Sequence, residues 1–463
     1  MKRLFLVSYL VALVFFIWGY AMVRYQAFPW QYFFPVEQEI IAYIQGGSAE
    51  KTSLREKVAN DLDVRPTRSL YEYTASADRA YVRMDIEGLN SRRESPHLFS
   101  TAEQLKGYRF IFAAFDFEDA MQAAILLDAS NNIVHRWIVD PKLMETFFKQ
   151  KNELDNGNRK MKSQNRRLPQ GFEIFPDGTL ILAEGYNGNG MHSIDFCGNF
   201  NWSLLGKYHH IVALDEKNNT IWGFGPGDIE EIDYQTGKVI REINIKDIQE
   251  ANLDNSIFTP RRKVSGGYWL PDPIHKNDIE PLSPRFAAAF PMFEAGDLLI
   301  VHRSTSMVFV IDPETLKIKW WRTGFTRRPH DADWNADGTI TVYDNNMREP
   351  VEGNDGYLDD LNNTRYSRIM QIDPKTFDTH VLYHGSKDNF YSGARGVHQV
   401  LPNGNVLITS PYQGRVLEVD QIGKTVFEFV NTYDEKDSLN VSEARWFPED
   451  YFSFDVTDKS LCN

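Results

Sequence analysis

Cysteine is nearly absent: Cys197 and Cys462 are the only two in 463 residues. Two thiols exclude a disulfide-stapled scaffold and any cysteine-rich zinc module. Positive charge is also scarce, with 50 Lys and Arg against 64 Asp and Glu and a net charge of −14. A nucleic-acid binder needs a basic footprint, so nucleic acid is not expected as a partner. The 42% hydrophobic and 25% charged shares exclude disorder and collagen-like structure. The length exceeds what one ordinary core organises, so either several domains or one ring of repeats is expected. Aromatics are plentiful at 13%, which suits β-sheets.

One long uncharged run stands at the N-terminus, residues 4–23 (LFLVSYLVALVFFIWGYAMV). At about 1.5 Å per residue such a run just spans a bilayer core of about 30 Å. Lys2 and Arg3 precede it, and the positive-inside tendency then places the rest of the chain outside. The expectation is a membrane anchor over residues 1–24; a cleaved signal peptide is the competing reading, and both export the remainder. Residues 36–62 read as a helical stalk, within a stalk and linker region of 25–106 whose second half has no clear pattern.

From residue 107 the pattern changes to short strands. An apolar run ends in Asp, turn residues follow, and a second strand ends near an aromatic. The markers are Asp128 with Trp137, Asp195 with Trp202, Asp233, Asp312 with Trp321, Asp373 with Tyr383, and Asp420 with Phe429. Asp, Asn and Gly in the turns are hairpin chemistry. A second kind of hairpin precedes most of them, at 172–184, 209–224, 291–303, 331–344 and 398–410. Two hairpins make a four-stranded sheet, and a ring of such sheets protects its edges. The fold class expected is all-β, a six-bladed β-propeller over 107–431, behind the transmembrane helix and stalk. Seven blades is the alternative if 63–106 adds strands. The repeats average about 54 residues, longer than the usual propeller repeat, so loops carry insertions. The obvious insertion is 245–290, read as either a lid or a packed rim. Residues 432–463 form a C-terminal tail that packs on the propeller or closes the ring. Whether Cys462 pairs with Cys197 stays open.

The innermost strand of each blade lines a propeller's central channel, so residues at the starts of those strands converge at one mouth. Gln170, His209 and His210, His275 with Asn277 and Asp278, His330, and His398 stand at or near such starts, and Arg303 ends a hairpin of the same set. His135, His380 and His384 fall on outer strands and read as packing residues. Converging histidines suit a metal site or acid–base and nucleophilic catalysis. Arg303, Arg327 and Arg328 beside them favour the second, because cations weaken metal binding and hold anions. No metal ligand set and no cofactor is assigned.

Residues 275–324 (HKNDIEPLSPRF onward), 327–345 (RRPHDADWNADGTITVYDN) and 401–431 (LPNGNVLITSPYQGRV onward) resemble the bacterial arylsulfotransferase family. The H-x-N-D and R-x-H-D-x-D segments carry most of the resemblance. It implies a six-bladed propeller that moves a sulfuryl group from a phenolic sulfate donor to a phenolic acceptor, without the nucleotide donor PAPS, through a sulfohistidine. It implies His330 as nucleophile, with His275, His210 and Arg303 also catalytic. It implies Asn277, Arg328, His209, His398 and Thr409 as substrate-binding residues. Two other readings stand beside it: a binding propeller without turnover, and a metal-dependent enzyme on the histidine cluster.

Overall fold

The computed structural model describes residues 70–72, 76, 78–89, 91, 93–117, 122–139, 169–184, 190–255, 275–347 and 366–462. The expected anchor, and the stalk helices, lie outside these residues. Among the described residues no helix is long and apolar enough to cross a membrane.

Among the described residues six sheets of four or more antiparallel strands follow one another, confirming the propeller and its blade number over the seven-blade alternative. The second blade runs Gly171–Ile174, Leu180–Ala183, Gly190–Ile194, Phe200–Leu205. The third runs His209–Asp215, Thr220–Gly225, Asp228–Ile232, Val239–Ile243. The fourth runs Lys276–Pro281, Leu298–His302, Met307–Ile311, Ile318–Thr323. The fifth runs Ala332–Trp334, Ile340–Asp344, Arg368–Ile372, Thr379–His384. The sixth runs Val397–Val400, Val406–Ser410, Arg415–Val419, Thr425–Val430, and is extended at its outer edge by His97–Ser100 and Val82–Arg83. The first blade joins both ends of the domain. Val441–Phe447, from the C-terminal tail, pairs with Tyr108–Ala114, followed by Gln122–Leu127 and Ile133–Ile138. The tail thus supplies a strand that closes the ring.

The six marker aspartates form one structural device. Each, from Asp128 to Asp420, accepts backbone N–H groups two to four residues on through Oδ1, closing the turn of an outer hairpin. The aromatic at the hairpin's end ties neighbouring blades together. The indole N–H of Trp137 donates to the Gly178 carbonyl at 3.2 Å, and that of Trp202 to Tyr234 at 2.9 Å. In the fourth blade this role belongs to Trp320, which donates to Pro374 at 3.1 Å, while the expected Trp321 is exposed.

The core lies between the blades. Successive residues of a strand point to opposite faces, and the fourth blade shows the consequence. Leu298 and Ile300 pack with the third blade, while Leu299 and Val301 pack with the fifth. Among the described residues, most of the buried apolar side chains fall into six such clusters, one at each blade-to-blade interface, the sixth-to-first included.

Two expectations need correction. The segment 291–303 is not an inner hairpin: Leu298–His302 is a second strand, and its inner partner Lys276–Pro281 lies upstream inside the presumed insertion. The start of that insertion, helix α1 (Ile245–Ala251), is neither lid nor rim. Asn244 caps it, and Ile245 and Ile248 are buried between the third and fourth blades. The cysteines are paired, Cys197 with Cys462, joining the tail's end to the second blade.

Candidate active site

The first strands of the blades place their leading residues around one cleft of about 360 Å³, counting its part open to solvent. Gln170, His210, Asn277, Asp278, His330, Asp331, Arg395 and Ser442 line it. The inner strands reach it through irregular backbone. β-Bulges interrupt the pairing between His209 and Val212 and between Lys276 and Asp278. His210, His275, Arg328 and Arg395 all hold positive φ, from 49° to 70°. Non-glycine residues take that conformation at a cost of about 1–3 kcal/mol each, and such strain clusters where a side chain must be aimed rather than packed.

Three of the expected histidines meet. The His210 ring stands 5.4 Å from His275 and 6.2 Å from His330, centroid to centroid. His209 is hydrogen-bonded to His210 through their Nδ1 atoms. His330 is the most enclosed, at 6% exposure. Its Nδ1 is hydrogen-bonded to Asn345 Oδ1, and its Nε2 accepts the Arg395 backbone N–H at 2.8 Å. Asn345 has only an acceptor to offer there, since its amide donates to the Ser392 and Arg395 carbonyls at 2.7 and 2.8 Å. The proton of His330 therefore sits on Nδ1, and the lone pair is on Nε2. Burial, opposed by the Asn345 bond and reinforced by Arg303 and His275, pushes the His330 pKa down to about 3. Burial, with His209, His330, His275 and Arg395, holds His210 well below the ordinary histidine value. At neutral pH both rings are uncharged.

Asn277 donates through Nδ2 to the Pro329 carbonyl at 2.7 Å, leaving its buried Oδ1 without a hydrogen bond. The Arg303 backbone N–H donates to the His275 carbonyl at 2.9 Å, and the Arg303 charge acts on His330. Arg328 is set one strand-start away, its N–H on Ser306 Oγ at 3.1 Å and its guanidinium toward Met347 Sδ.

His398 and Thr409 are placed elsewhere. Thr409 Oγ1 accepts the Ala444 N–H at 3.0 Å inside the sheet packing. The His398 ring turns under the cleft to Asp331, its Nδ1 on Asp331 Oδ2 at 2.5 Å. It belongs to a layer of carboxyl groups on the inner strands. Burial, together with Asp331 and Glu280, raises Asp278 well above the usual carboxylate range. Burial likewise raises Asp333, Glu173, Glu280 (to about 8) and Glu443 (to about 7). Arg445 offsets part of this charge, with Glu173 at 2.9 Å and Glu443 at 2.8 Å. Asp331, Asp333 and His398 are the described group able to hold a metal ion.

Asn345 and Arg395 were not among the expected site residues. Asn345 ends the 327–345 stretch that carries the resemblance, so the resemblance reached it. Arg395 contributes a backbone N–H, which leaves no mark in a side-chain pattern.

No curated protein matches the chain. Solved structures are similar to it at low identity and low TM-score. A protein of unknown function from Bacteroides caccae is 10% identical, with 73% of this chain and 98% of that one covered and a TM-score of 0.40. TolB from Acinetobacter baumannii is 11% identical, covering 74% and 67%, with a TM-score of 0.42. Virginiamycin B lyase from Staphylococcus aureus is 12% identical, covering 58% and 71%, with a TM-score of 0.34. Residues 207–432, which hold every histidine of the cleft with Asn277, Arg303 and Asn345, match the family model for arylsulfotransferase (ASST).

Proposed function

We propose that the cleft transfers a sulfuryl group from a phenolic sulfate ester to a phenolic acceptor through a sulfohistidine on His330. The observation that carries this reading is the His330 ring itself: neutral, buried, and held by Asn345 in the tautomer that leaves Nε2 nucleophilic. Nε2 attacks sulfur as the bond from sulfur to the aryl oxygen breaks. The leaving phenolate takes a proton from His275, whose ring stands 5.4 Å from that of His210. In the second half, the acceptor phenol gives its proton to the vacated imidazole, its oxygen attacks sulfur, and the S–N bond breaks. Charge on the sulfuryl oxygens falls among Arg303, Arg395 and the freed Arg395 N–H. No cofactor enters this scheme.

Nε2 must first exchange the Arg395 N–H for sulfur, so the loop at 391–396 yields when donor binds. That same hydrogen bond favours a second reading, a cleft that binds an aryl sulfate without turnover. The test is phenol-dependent release of nitrophenolate from 4-nitrophenyl sulfate by the purified full chain, beside a His330→Asn variant. Release that needs both phenol and His330 supports transfer. Calorimetric binding of the sulfate ester without release supports the second reading.

We also propose that the domain is exported and anchored by residues 4–23. The Cys197–Cys462 disulfide supports an oxidising compartment. Resistance of the domain to added protease in intact cells would count against export.

A further inference from the structure

The carboxyl layer beneath the cleft holds one arrangement that the sulfuryl reading leaves unused. His398 is 6% exposed, and its ring nitrogens are fixed unequally. Nδ1 bonds Asp331 Oδ2, which also accepts the His398 backbone N–H at 2.7 Å. Nε2 is buried and has no hydrogen bond. It faces Asp333 Oδ2 at 3.6 Å, too far for a hydrogen bond. Metal–nitrogen and metal–oxygen bonds of about 2.1 Å meeting at a tetrahedral angle span about 3.4 Å. The observed separation is the one a single bridged ion produces.

The surroundings fit an ion. Asp331, Asp333 and His398 each offer one ligand atom, and these atoms lie within 4.8 Å of one another. The Asp331 carboxylate on Nδ1 is the usual outer partner of a metal-bound histidine, since it fixes the tautomer that frees Nε2. Asp278, Glu280, Glu173 and Glu443 crowd the same layer with Arg445 as their main cation. An imidazole with a carboxylate suits a zinc-class ion better than magnesium or calcium, which take oxygen sets.

We propose that His398, through Nε2, and Asp333 hold one zinc-class divalent cation at the floor of the cleft, with Asp331 as the outer partner on Nδ1. The ion would pin the first strand of the fifth blade to that of the sixth. Asp331 adjoins His330, so the site fixes the backbone that carries that ring.

The test uses the full chain, stripped with chelator, dialysed, and titrated calorimetrically with zinc chloride. One equivalent should bind and raise the melting temperature. Cobalt(II) in its place should give visible d–d absorption. Asp333→Asn should weaken zinc binding about tenfold or more. Its side chain is 28% exposed, so this variant keeps the fold within reach, checked by circular dichroism. His398→Gln should do the same, while His384→Gln, on an outer strand, should leave the titration unchanged. Absence of zinc binding to the wild-type chain overturns the proposal, as does binding unaltered in both Asp333→Asn and His398→Gln.

Discussion

Replacing Asn345 separates the two jobs that the His330 environment performs. Its carbonyl oxygen holds the His330 Nδ1 proton, and its amide holds the Ser392 and Arg395 carbonyls. Asn345→Ala removes both. Losing the bond to the ring costs about 0.5–1.5 kcal/mol, and leaving a buried N–H unsatisfied costs about 1–3 kcal/mol. The fraction of that loss felt only when Nε2 attacks sets the rate. At about 1.4 kcal/mol per tenfold, a loss of about 1.5–3 kcal/mol lowers kcat by about 10- to 150-fold. Asn345→Asp keeps an acceptor for Nδ1 but turns a carboxylate toward two carbonyls, so it should lower the melting temperature as Asn345→Ala does while retaining more of kcat. The assay is kcat for nitrophenolate release with phenol present, beside thermal unfolding of each variant. Equal losses of kcat in the two variants, in step with stability, would make Asn345 a scaffold residue and refute the tautomer argument.

Gly396, beside Arg395, holds a φ of +111°, and a Cβ there would meet the buried Tyr343 ring at 2.1 Å. Gly396→Ala should therefore displace the Arg395 loop, lowering both melting temperature and aryl sulfate turnover. The Cys197–Cys462 bridge closes a loop of 265 residues, and removing such a bond costs about 2–5 kcal/mol. Cys462→Ser should unfold at lower denaturant, and reduced wild type should match it. Glu443 has a folded-state pKa of about 7, above its ordinary 4.5, chiefly through burial. The folded state then holds more protons than the unfolded one between those values, so this group's stabilisation is complete below pH 4.5 and is lost as pH rises through 7. The loss is on the order of 3 kcal/mol. The fall in stability from pH 5 to 8, followed by urea unfolding, should be shallower in Glu443→Gln; an equal slope would count against a protonated Glu443.

The blade number was legible because the device that marks each blade is local. An aspartate closing its own turn needs only the next few residues, so Asp128, Asp195, Asp233, Asp312, Asp373 and Asp420 repeat visibly along the chain. Non-local pairings were not legible. The Val441–Phe447 strand finds Tyr108–Ala114 across most of the domain. Lys276–Pro281 is separated from Leu298–His302 by a 3₁₀ turn at Ala287–Ala289 and an irregular stretch that hides the hairpin. Trp320 and Trp321 show the limit at single-residue scale, because two adjacent indoles on a strand look alike until one face is known to be buried.

The same parity governs the site. His210, His275 and His330 were recognisable because each stands where an inner strand begins; positive φ beside a bulge then turns His210 and His275, and Arg328 at positive φ precedes His330. His398 also begins an inner strand, yet Val397 lines the cleft and His398 turns beneath it. No bulge interrupts its pairing from Val397 to Val400, so regular alternation sends the imidazole to the floor. A histidine's position in a repeat names the ring of residues it belongs to. Whether it meets substrate or the carboxylates below is decided by one residue of register, which only the strand's regularity reveals. His398 is therefore the histidine whose chemistry should differ from the rest, an imidazole facing Asp331 and Asp333 rather than a sulfuryl group.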